Sequence, residues 1–243
     1  MTYHLLATDV RRTVRSGRFL IFTIGFPVVF FVIFANLYGH GEQSGVSATT
    51  YLMTEMAVFG GMGAAINAGA RIALERQIGW NRQLRLTPLR PRAYLRAKLL
   101  TGLLVALPSV LLLFACGALF EGVHLTGGEW LRMAVLFMVA LVPLAVLGIA
   151  VGYLATGDSV PSMSGATLMV LSLLGGVWVP VDTMPDAFAS IAHALPSYWL
   201  GVAARSPIGT EHVGTAGLAV MAAWTLALGA FVVRRYRVDA ARA

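Results

Sequence analysis

Six segments of this chain are each apolar over about 20 residues, the length that an α-helix needs to cross the hydrocarbon core of a bilayer. They lie near residues 19–38, 52–72, 97–120, 131–154, 161–180 and 213–233. Only 12% of the 243 residues are charged, whereas soluble domains carry roughly 25%. The chain therefore has too little charge to cover a surface that faces water. These features predict an all-α polytopic membrane protein, a single transmembrane domain over residues 1–243 with six transmembrane helices.

The basic residues predict how the six spans are oriented. Sixteen of the 18 Lys and Arg residues precede the first span, lie between spans two and three, or follow the last span. An even number of spans brings these three regions to one side, and Lys and Arg collect on the cytoplasmic side of membrane proteins. Both termini are therefore predicted to be cytoplasmic. Arg132 and Arg205 are the two exceptions.

The first 17 residues do not form a span. Leu6, Val10 and Val14 recur at helical spacing, and Arg11 falls on another face. This pattern is typical of an amphipathic helix that lies at the membrane surface. A solvated basic leader is the alternative. We predict an interfacial helix over residues 1–17.

The segment between spans two and three combines basic and apolar residues. An ordinary cytoplasmic loop would explain the five arginines of residues 75–92, but not the apolar residues among them, which suggest a docking site for a partner protein. We predict a coupling loop over residues 74–94, in which Gly79 allows a bend and Pro88 and Pro91 keep the backbone extended. Glu75 is expected to form an ion pair with a nearby arginine. The candidate partner-coupling residues are Glu75, Arg76, Gly79, Trp80, Arg82, Leu84, Arg85 and Pro88.

A second unusual stretch lies between spans five and six. Residues 181–206 contain an amphipathic run that is too short to cross the membrane. We predict an outer re-entrant region of one or two helices that dip into the outer leaflet, with aromatic residues at the interface. The candidate outer-gate residues are Trp178, Pro180, Pro185, Pro196, Tyr198 and Trp199.

Few polar residues interrupt the spans. Glu55 lies about one turn into span two and is expected to contact water, so a structural and a functional role both remain open. Glu55, Phe59 and Asn67 are the candidate pathway residues. Small residues repeat every four positions from Gly60 to Ala68 in the same span. This repeat favours close packing of helices within the chain over a dimer seam.

The sequence carries no motif that would make it an enzyme or a metal protein. It contains neither a Gly-x-x-x-x-Gly-Lys-Ser/Thr phosphate-binding loop nor a His-Glu-x-x-His motif. No catalytic residue, metal ligand or bound cofactor is predicted. Nucleic acid is not expected as a partner, because the positive charge is confined to loops beside the spans.

Two separated motifs resemble a known family. Glu75-Arg-Gln-x-Gly79, followed by Leu84-Arg-Leu-Thr-Pro88-Leu, resembles the cytoplasmic loop of type-2 ABC exporter permeases. The family's signature before the last span is similar to three further stretches here: Gly175-Gly-Val-Trp-Val-Pro180, Met184-Pro185 and Pro196-Ser-Tyr-Trp199. The resemblance covers essentially the whole chain, and small bacterial drug and antibiotic exporters match it in length.

The resemblance implies a half-transporter that works with a separate ABC ATPase subunit, which would hold ATP and Mg and perform the hydrolysis. Two permease copies would pair through spans one and five, as a homodimer or with a sister permease, and spans two and five would line the path. The implied location is the bacterial cytoplasmic (inner) membrane, in contact with lipid. The implied substrate is amphipathic or lipid-like, such as a drug, an antibiotic or a lipid.

Two other functions remain open at this point. An ion-gradient-driven secondary carrier would need acids or histidines near the middle of the membrane, and the spans contain none there. A non-transporting membrane immunity protein would share the spans but move no substrate.

Overall fold

The structure is a computed structural model that describes residues 21–43, 45–79, 91–209 and 211–241. Within these ranges the regular secondary structure is helical apart from a two-stranded antiparallel hairpin, in which β1 (Glu42–Gln43) pairs with β2 (Val46–Ser47). A π-helical turn, Ile21–Gly25, leads into α1, and a 3₁₀ turn, Val181–Thr183, precedes α8. The α-helices are α1 Phe26–Tyr38, α2 Ala48–Ala70, α3 Ile72–Gln77, α4 Pro91–Phe120, α5 Gly127–Ala140, α6 Val142–Leu154, α7 Val160–Leu174, α8 Asp186–His193, α9 Pro196–Arg205 and α10 Gly214–Ala241.

Among the described residues, four helical stretches are long and apolar enough to cross a membrane. They are Ala48–Gln77, Ala93–Phe120, Gly127–Leu154 and Gly214–Val238. Two shorter apolar helices, Thr23–Tyr38 and Val160–Leu174, correspond to predicted spans one and five. A 15-residue helix rises about 22 Å, which is less than the roughly 30 Å of a typical hydrocarbon core. The chain is thus a multi-pass membrane protein, and the count of six spans stays a prediction.

Capping side chains set where two of the spans begin. The Ser47 hydroxyl accepts a hydrogen bond from the Thr50 amide at 3.2 Å at the start of α2. Thr126 and Glu129 form a capping box at the start of α5, each side chain accepting a bond from the other residue's backbone amide. Both arrangements give a partner to amide groups that a helix start leaves without one.

Two predicted boundaries are wrong. The backbone at Pro91 is not extended, because α4 already begins there, six residues before predicted span three. Proline suits the first position of a helix, since its missing amide hydrogen is not needed there. Predicted span five, which was extended to residue 180, instead ends as a helix at Leu174. Gly176 follows with a φ of +88°, which a helix cannot continue through.

The helices alternate between two ends of one bundle. We call one the Glu75 end: α3 and α6 finish there, and α4 begins there. We call the other the Arg205 end: α2 begins there, and α9 ends beside it.

Helix α2 lies at the centre of the bundle and contacts α1, α4, α6, α7 and α9. In its most apolar stretch, 78% of the residues are buried, against 11% in the corresponding stretch of α10. Its fully buried side chains include Met53, Met56, Met62 and Ile66. Helix α10 packs mainly on α6 and leaves most of its surface uncovered. The core therefore forms around α2, and α10 lies at the periphery.

The small residues of α2 pack against other helices of the same chain. A Cβ atom added to Gly148 of α6 would lie 2.7 Å from the Cα atom of Ile66, so the two backbones are in contact. Gly60 likewise lies against Ser109 of α4, and Gly61 against Phe137 of α5. Close approach of this kind is how helices associate in lipid, where there is no hydrophobic driving force between them. The predicted intramolecular packing is confirmed at these positions.

We predict that Gly148→Ala destabilises the protein by about 1–3 kcal/mol, because the new methyl group would meet backbone and force α2 and α6 apart. The thermal unfolding midpoint of the detergent-solubilised protein measures this. The control is Gly229→Ala in α10, where nothing lies within 4 Å of an added Cβ, and we expect no loss of midpoint there. Equal midpoints for the two variants would contradict the close contact.

Candidate functional site

Glu75, at the base of the basic loop, is held by two residues of α4. The Tyr94 hydroxyl donates a hydrogen bond to its carboxylate at 2.8 Å, and Lys98 forms an ion pair with it. The Lys98 and Glu75 side chains are only 5% and 13% exposed. The predicted ion pair at Glu75 is present, but its partner is the chain's single lysine and not an arginine. The reason is that Tyr94 and Lys98 are four residues apart on α4, so both side chains lie on the helix face that meets Glu75.

Arg76 points the other way, to the end of α6. Its guanidinium donates hydrogen bonds to the carbonyl oxygens of Tyr153 at 3.0 Å and Gly152 at 3.5 Å, and it lies 5.5 Å from the centre of the Tyr153 ring. The last carbonyl groups of a helix lack helical partners and carry partial negative charge, so a cation stabilises them. Glu75 and Arg76 together fasten α3 to α4 and α6.

A third contact extends this arrangement to the last helix. The Tyr94 ring lies 6.3 Å from the ring of Tyr236 in α10. Three helices therefore meet around the point where the chain leaves α3.

Gly79 is the last residue of the coupling loop that the structure describes before residue 91. It has a φ of +73°, and nothing lies within 4 Å of the place where a Cβ would be. Backbone conformation and not lack of space therefore favours glycine here, and the predicted bend is present. Trp80, Arg82, Leu84, Arg85 and Pro88 lie outside the described residues. So do the interfacial-helix candidates Leu6, Val10, Arg11 and Val14.

At the Arg205 end, Trp178 lies among aromatic rings of α1 and α2. Its ring centre is 5.4 Å from that of Phe59, 5.9 Å from Phe30 and 6.4 Å from Phe26, all at steep interplanar angles. We call these four residues the aromatic group. The Trp178 ring nitrogen is buried and has no hydrogen-bond partner among the described residues. A candidate gate residue and a candidate pathway residue are thus in direct contact, and Trp178 does not stand alone at an interface.

The other gate candidates hold α8 and α9 together. Tyr198 and Trp199 pack against each other at 5.1 Å, and the Tyr198 ring lies 4.8 Å from the His193 ring. The Trp199 ring nitrogen donates to the His193 carbonyl oxygen at 2.8 Å. Prolines stand at the element starts, because each fixes a φ angle that suits a first turn. They are Pro180 before the 3₁₀ turn, Pro185 before α8 and Pro196 at the start of α9.

Glu55 is not in contact with water, contrary to the prediction. It is 3% exposed and pairs with Arg205, which is also 3% exposed. Arg205 further donates to Glu211 at 2.8 Å and lies over the Tyr51 ring, 4.5 Å from its centre. Taking one member from a buried ion pair costs about 3–5 kcal/mol. We call Glu55, Arg205 and Glu211 the ion cluster.

Sequence reasoning missed Arg205 as a site residue and counted it as an exception to the charge pattern. A signal for it was present. A carboxylate within a span needs a cation, and only Arg132 and Arg205 are available at that side of the predicted topology.

Asn67 does not join the other pathway candidates. Its side-chain amide donates to the Gly63 carbonyl oxygen at 2.8 Å, within α2 itself. Twelve residues of helix place it about 18 Å along the axis from Glu55. The described residues contain no group of three or more His, Cys, Asp or Glu side chains that could hold a metal ion.

Comparison with known proteins identifies the family. The sequence pattern of the family described as "ABC-2 type transporter" matches residues 2–208. This chain belongs to the ABC-2 type transporter family. It is 29% identical over 194 residues to a Bacillus subtilis (strain 168) protein named "Putative transport permease YvfS", an alignment that covers 79% of each chain.

Membership in the ABC-2 family fits the two ends described above. The family supplies the membrane component of a transporter, and membership implies a partnering ATP-binding subunit. In this ABC-2 chain, the residues that fasten α3 lie at the Glu75 end, beside the basic loop. The aromatic group and the ion cluster lie toward the Arg205 end.

We predict that Glu75→Gln and Lys98→Met each destabilise the protein by about 1–3 kcal/mol, because each removes one member of a mostly buried ion pair. The double variant should lose clearly less than the sum of the two, since the pair acts as one unit. Thermal unfolding of the solubilised protein gives all three values. Glu42→Gln, at an exposed acid, is the control and should change stability by less than about 0.5 kcal/mol. Strict additivity would argue against the pair.

Proposed function

We propose that this chain is the membrane-spanning subunit of an ATP-driven exporter, with six spans and both termini in the cytoplasm of a bacterium. It moves an amphipathic or lipid-like compound, such as a drug, an antibiotic or a lipid, out of the cell. The observation that carries the proposal is the double attachment of α3, by Glu75 to α4 and by Arg76 to α6. A displacement of α3 is therefore passed directly to both of these helices.

The ATPase subunit binds the coupling loop over residues 74–94. The arginines of the loop complement acidic groups on the partner, and its apolar side chains fill pockets there, as in other protein interfaces. The amphipathic segment 1–17 makes a second contact at the cytoplasmic surface. Closure of the ATPase around ATP and Mg then displaces the loop, and with it α2 and α4. The transport cycle is a shift between two conformations that bind the nucleotide-loaded partner unequally.

A second permease copy completes the path. Helices α1 and α7 each expose an apolar face, with Val29 and Ile33 on α1 and Met169 and Val170 on α7. Such faces suit contact with an identical copy, so we propose a homodimer. The surroundings of one pathway candidate, Phe59, are aromatic, which supports an amphipathic substrate over a small ion.

We predict that the double variant Arg82→Glu/Arg85→Glu weakens binding of the ATPase about tenfold or more, because reversed charges at an interface repel the partner. Co-purification of the ATPase with the full chain, followed by titration, measures this. Arg132→Glu, an exposed arginine at the Arg205 end, is the matched control and should bind as the wild type does.

Unchanged binding by the double variant would contradict the role of the loop. Transport driven by an ion gradient without any ATPase would identify a secondary carrier. Reconstituted vesicles without flux of any tested amphipathic compound would favour an immunity protein.

The proposed orientation predicts opposite labelling of two loops. In a Cys116→Ala background, His124→Cys should react with a membrane-impermeant maleimide in right-side-out vesicles, and Asp158→Cys only in inside-out vesicles. Both positions are exposed, and they lie at opposite ends of the span Gly127–Leu154. The reverse pattern would place the basic loop outside the cell and rule out a cytoplasmic ATPase as its partner.

A further inference from the structure

The ion cluster joins α2 to the region between α9 and α10, 150 positions further along the chain. Glu55 lies in the second turn of α2, Arg205 ends α9, and Glu211 lies just before α10. The Nη1 atom of Arg205 bonds Glu55, while its Nε and Nη2 atoms lie 2.8 Å from one oxygen of Glu211. The Tyr51 ring covers the guanidinium. Each nitrogen of the Arg205 guanidinium therefore has a carboxylate partner, and only the Glu211 side of the cluster is partly exposed, at 23% of that side chain.

The burial of the cluster opposes separation of α9 from α2. Both Glu55 and Arg205 are 3% exposed, so pulling them apart would leave two charges in surroundings of low dielectric constant. Apolar contacts alone would oppose sliding of α9 along α2 less strongly than the ion pair does, because a methyl group can exchange one apolar neighbour for another. The two helices also share a core, in which Leu200 and Ala203 of α9 join Met53 and Met56 of α2.

The same helical rod carries both charged attachments. Glu55 and Glu75 are 20 residues apart, or about 30 Å along α2 and α3. Glu75 fastens the rod to α4 near the basic loop, and Glu55 fastens it to α9 at the opposite end. A displacement of α2 that begins at the loop is therefore transmitted to α9 through the Glu55–Arg205 pair.

We propose that Arg205 is a positioning residue that makes α9 move with α2 as one unit, so that displacement of the coupling loop reaches the outer segment 181–206. This inference rests on the proposed function, because the ATPase supplies the displacement. A purely structural role for the cluster would affect stability but not the joint movement.

The experiment uses the full permease with its ATPase in lipid nanodiscs. Spin labels are attached to introduced cysteines in a Cys116→Ala background. For distances within one copy, the labelled permease is mixed with an excess of unlabelled permease. Ala48→Cys at the start of α2 and Ser190→Cys on α8 report the α2-to-outer-segment distance. Helix α8 is bonded to α9 through Trp199. Ser190→Cys alone reports the distance between the two copies, and so whether the outer segment moves at all.

With the natural cluster, we expect the distance between copies to change when vanadate traps the nucleotide, while the Ala48–Ser190 distribution stays the same. In Glu55→Met/Arg205→Met, whose apolar side chains replace the pair and preserve the folded state, the Ala48–Ser190 distribution should broaden and shift with nucleotide. The control variant Glu55→Asp keeps the carboxylate beside Arg205, so its Ala48–Ser190 distribution should stay as narrow as in the natural protein. Thermal unfolding shows that the compared variants are folded.

Two results would overturn the inference. A shift of the Ala48–Ser190 distance in the natural protein would mean that α9 leaves α2 during the cycle. A narrow, unshifted distribution in the double-methionine variant would mean that the cluster serves stability alone. Failure of the proposed function is distinct, since no ATPase would then co-purify. In that case the distributions of the natural and double-methionine proteins without nucleotide still decide whether the cluster holds α9 to α2.

Discussion

Close contact between backbones around α2 is the constraint on which the rest of this structure depends. Apolar side chains are as favourable against lipid tails as against one another, so apolar helices associate in a bilayer where their surfaces fit tightly. Gly148 of α6 meets Ile66 of α2 in this way, and α4 and α5 approach α2 beside its small residues. Because α2 has neighbours on nearly all sides, the helical rod of α2 and α3 can carry a charged residue near each end with little exposure of either one.

The two charged attachments have different surroundings and different partners. Glu75 is bound by Lys98 and Tyr94 of a neighbouring helix, at the edge where the chain turns toward the loop. Glu55 is bound by Arg205, which Glu211 and the Tyr51 ring enclose. Glu55 fixes α2 to α9, and Glu75 fixes α3, which follows α2, to α4; the two contacts lie at opposite ends of the bundle. The helix is therefore positioned by charge at its ends and by shape along its length.

The sequence was sufficient for features that repeat or that act locally. Apolar length predicted the helices, the spacing from Gly60 to Ala68 predicted close packing, and Gly79 predicted a bend. Features that depend on contacts between distant residues were not predictable in the same way. The pairing of Glu55 with Arg205 spans 150 positions, and no spacing rule connects them. The placement of Trp178 against Phe59 likewise follows from how α1, α2 and the end of α7 meet.

That separation of 150 positions also matters while the chain is being made. Ribosomes add about 5–20 residues per second, so Glu55 is synthesised roughly 8–30 s before Arg205 exists. During that time the carboxylate has no cation to accompany it into lipid. The contact between α2 and α9 can therefore form only after the last third of the chain has been made.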